Sequence, residues 1–109
     1  MDYYCFISYD NFVPDLLMKK INLGITGCMG RMGQQIIKSV RNDKNFKITA
    51  LTENSVINKK IYGVKITKNT LESLKNTNLI IDFTVPKCTF EILKFASILK
   101  KRVVIGTTG

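Results

Sequence analysis

The run Gly27-Cys28-Met29-Gly30-Arg31-Met32-Gly33 is the part of this chain whose residue types and spacing point to chemistry. An apolar stretch, Ile21 to Thr26, leads directly into it, and a segment with helical periodicity comes after it. Strand, glycine turn and helix in that order form the setting of a dinucleotide-binding loop. Gly27 permits the tight turn out of the strand. Gly30 removes the Cβ that would hold backbone away from a pyrophosphate, and Gly33 lets the helix approach the sheet closely. The N–H groups at the helix start, with the helix dipole, suit phosphate oxygens. Arg31 adds a guanidinium able to form charge-assisted bonds. The spacing is Gly-x-x-Gly-x-x-Gly, not the commoner Gly-x-Gly-x-x-Gly, so the loop by itself also fits a merely flexible connection.

Further pieces sit where such a site needs them. Glu53 ends a second predicted strand, twenty residues beyond Gly33, where a carboxylate can accept hydrogen bonds from ribose hydroxyls. Asp82-Phe83-Thr84-Val85-Pro86 and Gly106-Thr107-Thr108-Gly109 each close a predicted strand. Ligands of open α/β sheets bind at those carboxyl ends, so small residues and hydroxyls there are candidates for contact with a nicotinamide and its ribose. Each motif also reads as an ordinary turn.

The elements that position these residues alternate. Strands are predicted at residues 21–26, 46–52, 79–83 and 102–105, from short apolar or alternating runs. A helix is predicted over residues 30–42, with Met32, Ile36, Ile37 and Val40 as its buried stripe. A second begins at Pro86, with Phe90, Leu93 and Ile98 facing inward and Lys100-Lys101 at the negative end of its dipole. The polar segment 54–67 is expected to hold no more than a short strand at 64–66, and Asn69 or Thr70 to cap a short helix through Leu74. The alternation predicts an α/β fold with a doubly wound, Rossmann-like parallel sheet.

The formal charge is +9, from 17 Lys and Arg against 8 Asp and Glu. Such a balance attracts phosphate-bearing partners, but the lysines are scattered, no aromatic-interleaved basic stripe appears, and AT-rich codons account for most of them. No nucleic-acid partner is therefore expected. Three widely spaced cysteines match neither a metal motif nor a disulfide framework, which fits a reducing, cytoplasmic setting. The absence of histidine excludes imidazole catalysis and histidine metal ligands from these residues. No apolar run is long enough to span a membrane. Residues 1–17, rich in Tyr and Phe and without steady period, do not resemble the rest of the chain. They are expected to be an extension upstream of a natural start at Met18, ahead of a dinucleotide-binding domain at 18–109.

The run from Ile25 to Gly33, then Glu53, then Asp82 to Pro86, then Gly106 to Gly109, in this order and spacing, resembles the 4-hydroxy-tetrahydrodipicolinate (dihydrodipicolinate) reductases of lysine synthesis through diaminopimelate. The resemblance covers residues 18–109, and its more specific parts are Gly-Arg-Met-Gly and Gly-Thr-Thr-Gly. It implies an oxidoreductase domain that binds NADH or NADPH, the hydride passing from the nicotinamide to a cyclic substrate. It places Gly27, Cys28, Met29, Gly30, Arg31 and Met32 on the pyrophosphate, Glu53 on the adenosine ribose, and Phe83, Gly106, Thr107 and Thr108 beside the nicotinamide. Asn54 stands where relatives that use NADPH readily tend to carry Arg, and Val85 where a basic or polar residue is common; NADH is therefore expected to be preferred, with NADPH admitted. Lys59 or Lys60 is a candidate clamp for a 2′-phosphate. In the family a substrate domain with a His-rich segment and a Lys comes after Gly-Thr-Thr-Gly, together with the remaining strands of the first domain and a tetramer interface. The resemblance thus implies an incomplete sheet, no catalytic residue among these 109, negligible turnover by the chain alone, and a homotetramer for a full-length form. The competing expectations are a non-catalytic dinucleotide-binding module, an inactive remnant of a truncated gene, or another dehydrogenase sharing the first domain.

Overall fold

A computed structural model of the chain describes residues 20–55 and 57–106. The expectations for residues 1–17 and for Thr107 and Thr108 lie outside the described residues.

In chain order the elements are β1 (Ile21–Thr26), α1 (Arg31–Val40), β2 (Phe46–Glu53), β3 (Lys60–Ile61), β4 (Val64–Lys68), β5 (Leu79–Asp82), α2 (Pro86–Leu99) and β6 (Arg102–Ile105). Among the described residues they build one sheet of six strands in the order β3-β4-β2-β1-β5-β6. Every pairing is parallel except β3 with β4. From β1 the chain moves outward through β2 and β4, then returns past β1 to β5 and β6. The order thus reverses between β1 and β5, and the crevice outside the carboxyl ends there is where sheets of this class take ligands.

Strand alternation sends successive side chains to opposite faces. Leu23, Ile25, Leu51 and Ile66 gather under α1 with Ile37. Ala50, Ile80 and Val103 gather under α2 with Ile92, Ala96 and Leu74. One helix on each face is the doubly wound arrangement that the alternation of elements predicts.

On α1, Ile36, Ile37 and Val40 pack inward as expected, but other positions of the two helix faces differ. Met32 is 42% exposed, while Gly33 and Ile37 are buried. The position nearest the glycine turn has no room for a side chain, so glycine, not methionine, occupies the inner face of α1. On α2, Phe90 is 75% and Ile98 61% exposed, and the buried residues are Thr89, Ile92 and Ala96; of the predicted stripe only Leu93 packs against the core. The Thr89 hydroxyl donates to the buried Asp82 Oδ2 at 2.5 Å. This polar anchor and the apolar residues Ile92, Leu93, Phe95, Ala96 and Leu99 together set the rotation of α2, leaving Phe90 and Ile98 outside.

The segment after Glu53 holds more strand than expected. β3 and β4 form a hairpin whose two-residue loop, Tyr62-Gly63, has positive φ at both positions, 49° and 83°. That is the turn whose twist matches paired strands. The Arg41 guanidinium lies 4.1 Å from the Tyr62 ring centroid and Nη1 donates to its hydroxyl at 2.8 Å, tying the hairpin tip to the end of α1. The short helix expected after Asn69 is instead a series of turns over residues 71–76. Thr70 does act as a cap, its Oγ1 accepting the Ser73 N–H at 3.1 Å. The Thr77 hydroxyl then donates to the Leu74 carbonyl at 2.8 Å, and Leu74 is fully buried. These local bonds compete with helical ones and stop the turn from propagating.

Candidate functional site

The glycine turn is held from both sides. The Gly27 and Cys28 N–H groups both donate to the Thr52 carbonyl, at 3.0 and 3.2 Å, and the Gly30 N–H returns to the Gly27 carbonyl at 3.1 Å. Gly27 has φ +69°, and a Cβ there would lie 2.8 Å from the Phe83 carbonyl oxygen. A Cβ on Gly33 would lie 2.5 Å from the Gly27 carbonyl oxygen, so Gly33 lets α1 close on the turn itself and not on the sheet. Gly30 differs: it is exposed, and a Cβ there would meet only the Gly27 oxygen at 3.4 Å, leaving its backbone open to the outside.

The donors that remain are those of the first helical turn. The first bond within α1 runs from the Gln34 N–H to the Gly30 carbonyl. The N–H groups of Arg31 and Met32 precede it and have no partner within the helix. The cap residue Gly30 offers no side chain, and no acidic residue occupies the first turn. An anion fits such a helix start, because no residue of the helix's own first turn supplies the negative charge that its dipole favours. Arg31 is exposed and shares an open groove along α1 with Gln34, Gln35 and Lys38.

Glu53 closes β2 beside this turn. Its Oε2 accepts the Met29 N–H at 2.7 Å and its Oε1 the Asn54 N–H at 3.2 Å. The carboxylate is thus oriented by backbone, and each oxygen keeps a lone pair for another donor. Sequence reasoning did not anticipate the Met29 bond, which makes Glu53 a brace for the glycine turn as well as a candidate acceptor. Thr52, whose carbonyl holds the turn, carries no sequence signal at all, because its role is played by backbone.

Cys28 is fully buried in the α1-side core, and its N–H is already used. Whatever it contributes is therefore through the shape of the turn. Burial pushes its thiol up to about 12, and the Glu53 charge adds to the shift against the opposing effect of its own backbone hydrogen bond. Cys88, half-buried on the first turn of α2, places its thiol 3.5 Å from the Asn54 side-chain oxygen. Iodoacetamide at pH 8 on the native chain is therefore expected to label Cys88 and spare Cys28, with Cys28 labelled only in denaturant. Equal native labelling of both, read by peptide mass spectrometry, would show that Cys28 is not sealed in.

The motif from Asp82 to Pro86 turns out to be an internal knot. Asp82 is fully buried. Its Oδ1 accepts the hydroxyls of Thr26 at 2.6 Å and Thr84 at 2.5 Å and the Thr84 N–H at 3.1 Å. The Thr84 hydroxyl, expected to face a ligand, is thus turned inward. The next peptide, Phe83 to Thr84, packs against Gly27, and the Phe83 ring covers Gly106, where a Cβ would lie 2.4 Å from a ring carbon. The structure therefore brings Gly27, Gly30, Glu53, Phe83 and Gly106 together at the carboxyl ends of β1, β2, β5 and β6. Among the described residues no cluster of three or more His, Cys, Asp or Glu could hold a metal ion, and no helix is long and apolar enough to cross a membrane.

Comparison with known proteins agrees with this fold. Over 92 residues the chain is 70% identical to the 4-hydroxy-tetrahydrodipicolinate reductase of Pelagibacter ubique, a match that covers 84% of this chain and 36% of that protein. It is 37% identical over 89 residues to the enzyme of the same name from Campylobacter curvus, covering 82% and 35%. The chain thus spans little more than a third of the length of the relatives it matches. The dipicolinate-bound dihydrodipicolinate reductase of a Paenisporosarcina species superposes with a TM-score of 0.69 at 29% identity, over 84% of this chain and 38% of that one. A Rex-family repressor, at 13% identity and a TM-score of 0.64 over 84% of this chain and 54% of that one, shares the fold. Residues 21–109 match the family described as dihydrodipicolinate reductase, N-terminus, and the chain belongs to that family.

Proposed function

We propose that residues 18–109 are the NAD(P)H-binding part of a 4-hydroxy-tetrahydrodipicolinate reductase acting in lysine synthesis in the cytoplasm. The observation that carries this reading is the uncapped start of α1, with open backbone at Gly30 and the braced carboxylate of Glu53 beside it. The N–H groups of Arg31 and Met32 would hold the pyrophosphate. Gly27 and Cys28 would set the turn, Met29 would link it to Glu53, and Glu53 would accept the adenosine ribose hydroxyls. Phe83, Gly106, Thr107 and Thr108 would line the nicotinamide end. When bound, the nicotinamide supplies the hydride; what these residues contribute is binding and orientation. Residues that engage the substrate would come from the two-thirds of the relatives that lie beyond this match, where a homotetramer interface would also belong.

NADH is expected to bind more tightly than NADPH, because Asn54 carries no charge and its N–H is already turned to Glu53. A fluorescence titration of the full chain with each nucleotide, with far-UV circular dichroism on the same sample, tests both statements. Saturable binding, tighter for NADH, is the expected result, with Glu53→Ala weakening NADH by about tenfold while the dichroism is unchanged. Folded protein that binds neither nucleotide would refute the reading, and tighter NADPH binding would refute the preference. NADH should also slow alkylation of Cys88, since the adenosine end would fill the gap beside Asn54.

A further inference from the structure

Lys68 ends β4 in register with Glu53, the last residue of β2. Two residues earlier in each strand, Leu51 and Ile66 are register partners as well, and both are buried under α1. By strand alternation, Glu53 and Lys68 therefore face the same side of the sheet, the side of the glycine turn. Neighbouring strands lie about 4.8 Å apart, and Lys68 is exposed, so its four-carbon stem can carry the ammonium alongside the Glu53 carboxylate. That carboxylate is held toward the turn by the Met29 and Asn54 N–H groups and does not depend on Lys68 for its orientation.

The other cations of this region are less well placed. Lys60 lies opposite Lys65 in the β3–β4 hairpin. It alternates with Ile61, which packs on the α1 side, so it belongs to the other face. Lys59 is one strand further out, its carbonyl accepting the Ile66 N–H. Neither candidate named from sequence alone is thus adjacent to Glu53; Lys68 is.

A carboxylate poised for ribose hydroxyls repels a 2′-phosphate placed at the same point, and a cation within reach offsets that repulsion. We propose that Lys68 is a specificity-determining residue that admits a 2′-phosphate beside Glu53 and so sets how far the site tolerates NADPH relative to NADH. The proposal rests on the dinucleotide reading above.

The test is to titrate the full chain, Lys68→Ala and Lys68→Arg with NADH and NADPH at low ionic strength. Lys68→Ala is expected to weaken NADPH by about tenfold and to leave NADH within about twofold, widening the preference for NADH. Lys68→Arg is expected to retain NADPH. Equal losses for both nucleotides, or no loss for NADPH, would overturn the role of Lys68 while saturable NADH binding by the parent chain keeps the dinucleotide reading in place. A folded parent chain that binds neither nucleotide would instead overturn that reading, and the role of Lys68 with it.

Discussion

Gly33→Ala is expected to lower the stability of the chain by about 2–3 kcal/mol, although it replaces the poorer helix former by the best one. Inside α1 the propensity gain is about 1 kcal/mol. Against it stands a Cβ 2.5 Å from the Gly27 carbonyl oxygen and 2.8 Å from the Cys28 Cα. Both are backbone atoms of a turn pinned to the Thr52 carbonyl, so they have no free side-chain rotation with which to yield. α1 must shift outward, and the cluster holding Ile37 against Leu23 and Leu51 opens with it. The net loss is a large share of the roughly 5–15 kcal/mol by which small domains are stable. Gly30→Ala, three residues earlier, makes only an ordinary contact at 3.4 Å and starts from φ −71°. It is expected to leave the urea midpoint near that of the parent while weakening NADH binding. The pair separates a glycine needed for packing from one needed for access. A Gly33→Ala chain with the parent's midpoint would mean that the turn yields and that close packing is not what glycine supplies there.

Much of this was legible in the sequence because it rests on local chemistry. The strands at β1, β5 and β6 follow from short apolar runs bounded by turns, and the start of α2 follows from Pro86. The glycine spacing and Glu53 pointed to the carboxyl ends of β1 and β2, where the turn and Glu53 meet through Met29. What was not legible depends on partners distant in sequence. The rotation of α2 is fixed by Thr89 meeting Asp82 and by Ile92, Ala96 and Leu99 meeting the core, and a stripe of Phe90, Leu93 and Ile98 carries neither. The hairpin needed Tyr62 at φ 49°, a conformation for which tyrosine gives no signal and which Arg41 supports from 21 residues away. Lys68 becomes a neighbour of Glu53 only once β4 is known to pair with β2. The sequence could name lysines near the motif but could not rank them.

Asp82→Ala is expected to destabilise the chain by about 3–4 kcal/mol, more than Asp82→Asn at about 1–2 kcal/mol. The carboxylate accepts hydroxyls from Thr26 on β1, Thr84 after β5 and Thr89 on α2. Alanine removes the shared acceptor from a fully buried place, where any group left unsatisfied carries its whole desolvation penalty. Asparagine keeps the shape and has one workable orientation: its amide toward Thr89, whose hydroxyl also lies 3.2 Å from the Val85 carbonyl and can turn to it. Its oxygen then still serves Thr26 and Thr84. Urea unfolding of both variants checks the order, and a cycle combining Asp82→Ala with Thr89→Val should give a total smaller than the sum of the two, because both changes remove the same bond between Thr89 and Asp82. Additive losses would mean that the two residues do not act as one anchor. The consequence reaches the crevice, since the Asp82 carbonyl also accepts the Gly106 N–H at 2.8 Å and the following peptide rests on Gly27. Without the bond from Thr89 to Asp82, the start of α2 loses its polar tie to β5, while Ile92 and Ala96 still hold its apolar face. Hydrogen exchange at the Phe83 and Thr84 amides should then accelerate in Asp82→Ala beyond what its global stability explains, whereas exchange that tracks global unfolding would confine Asp82 to a role in stability.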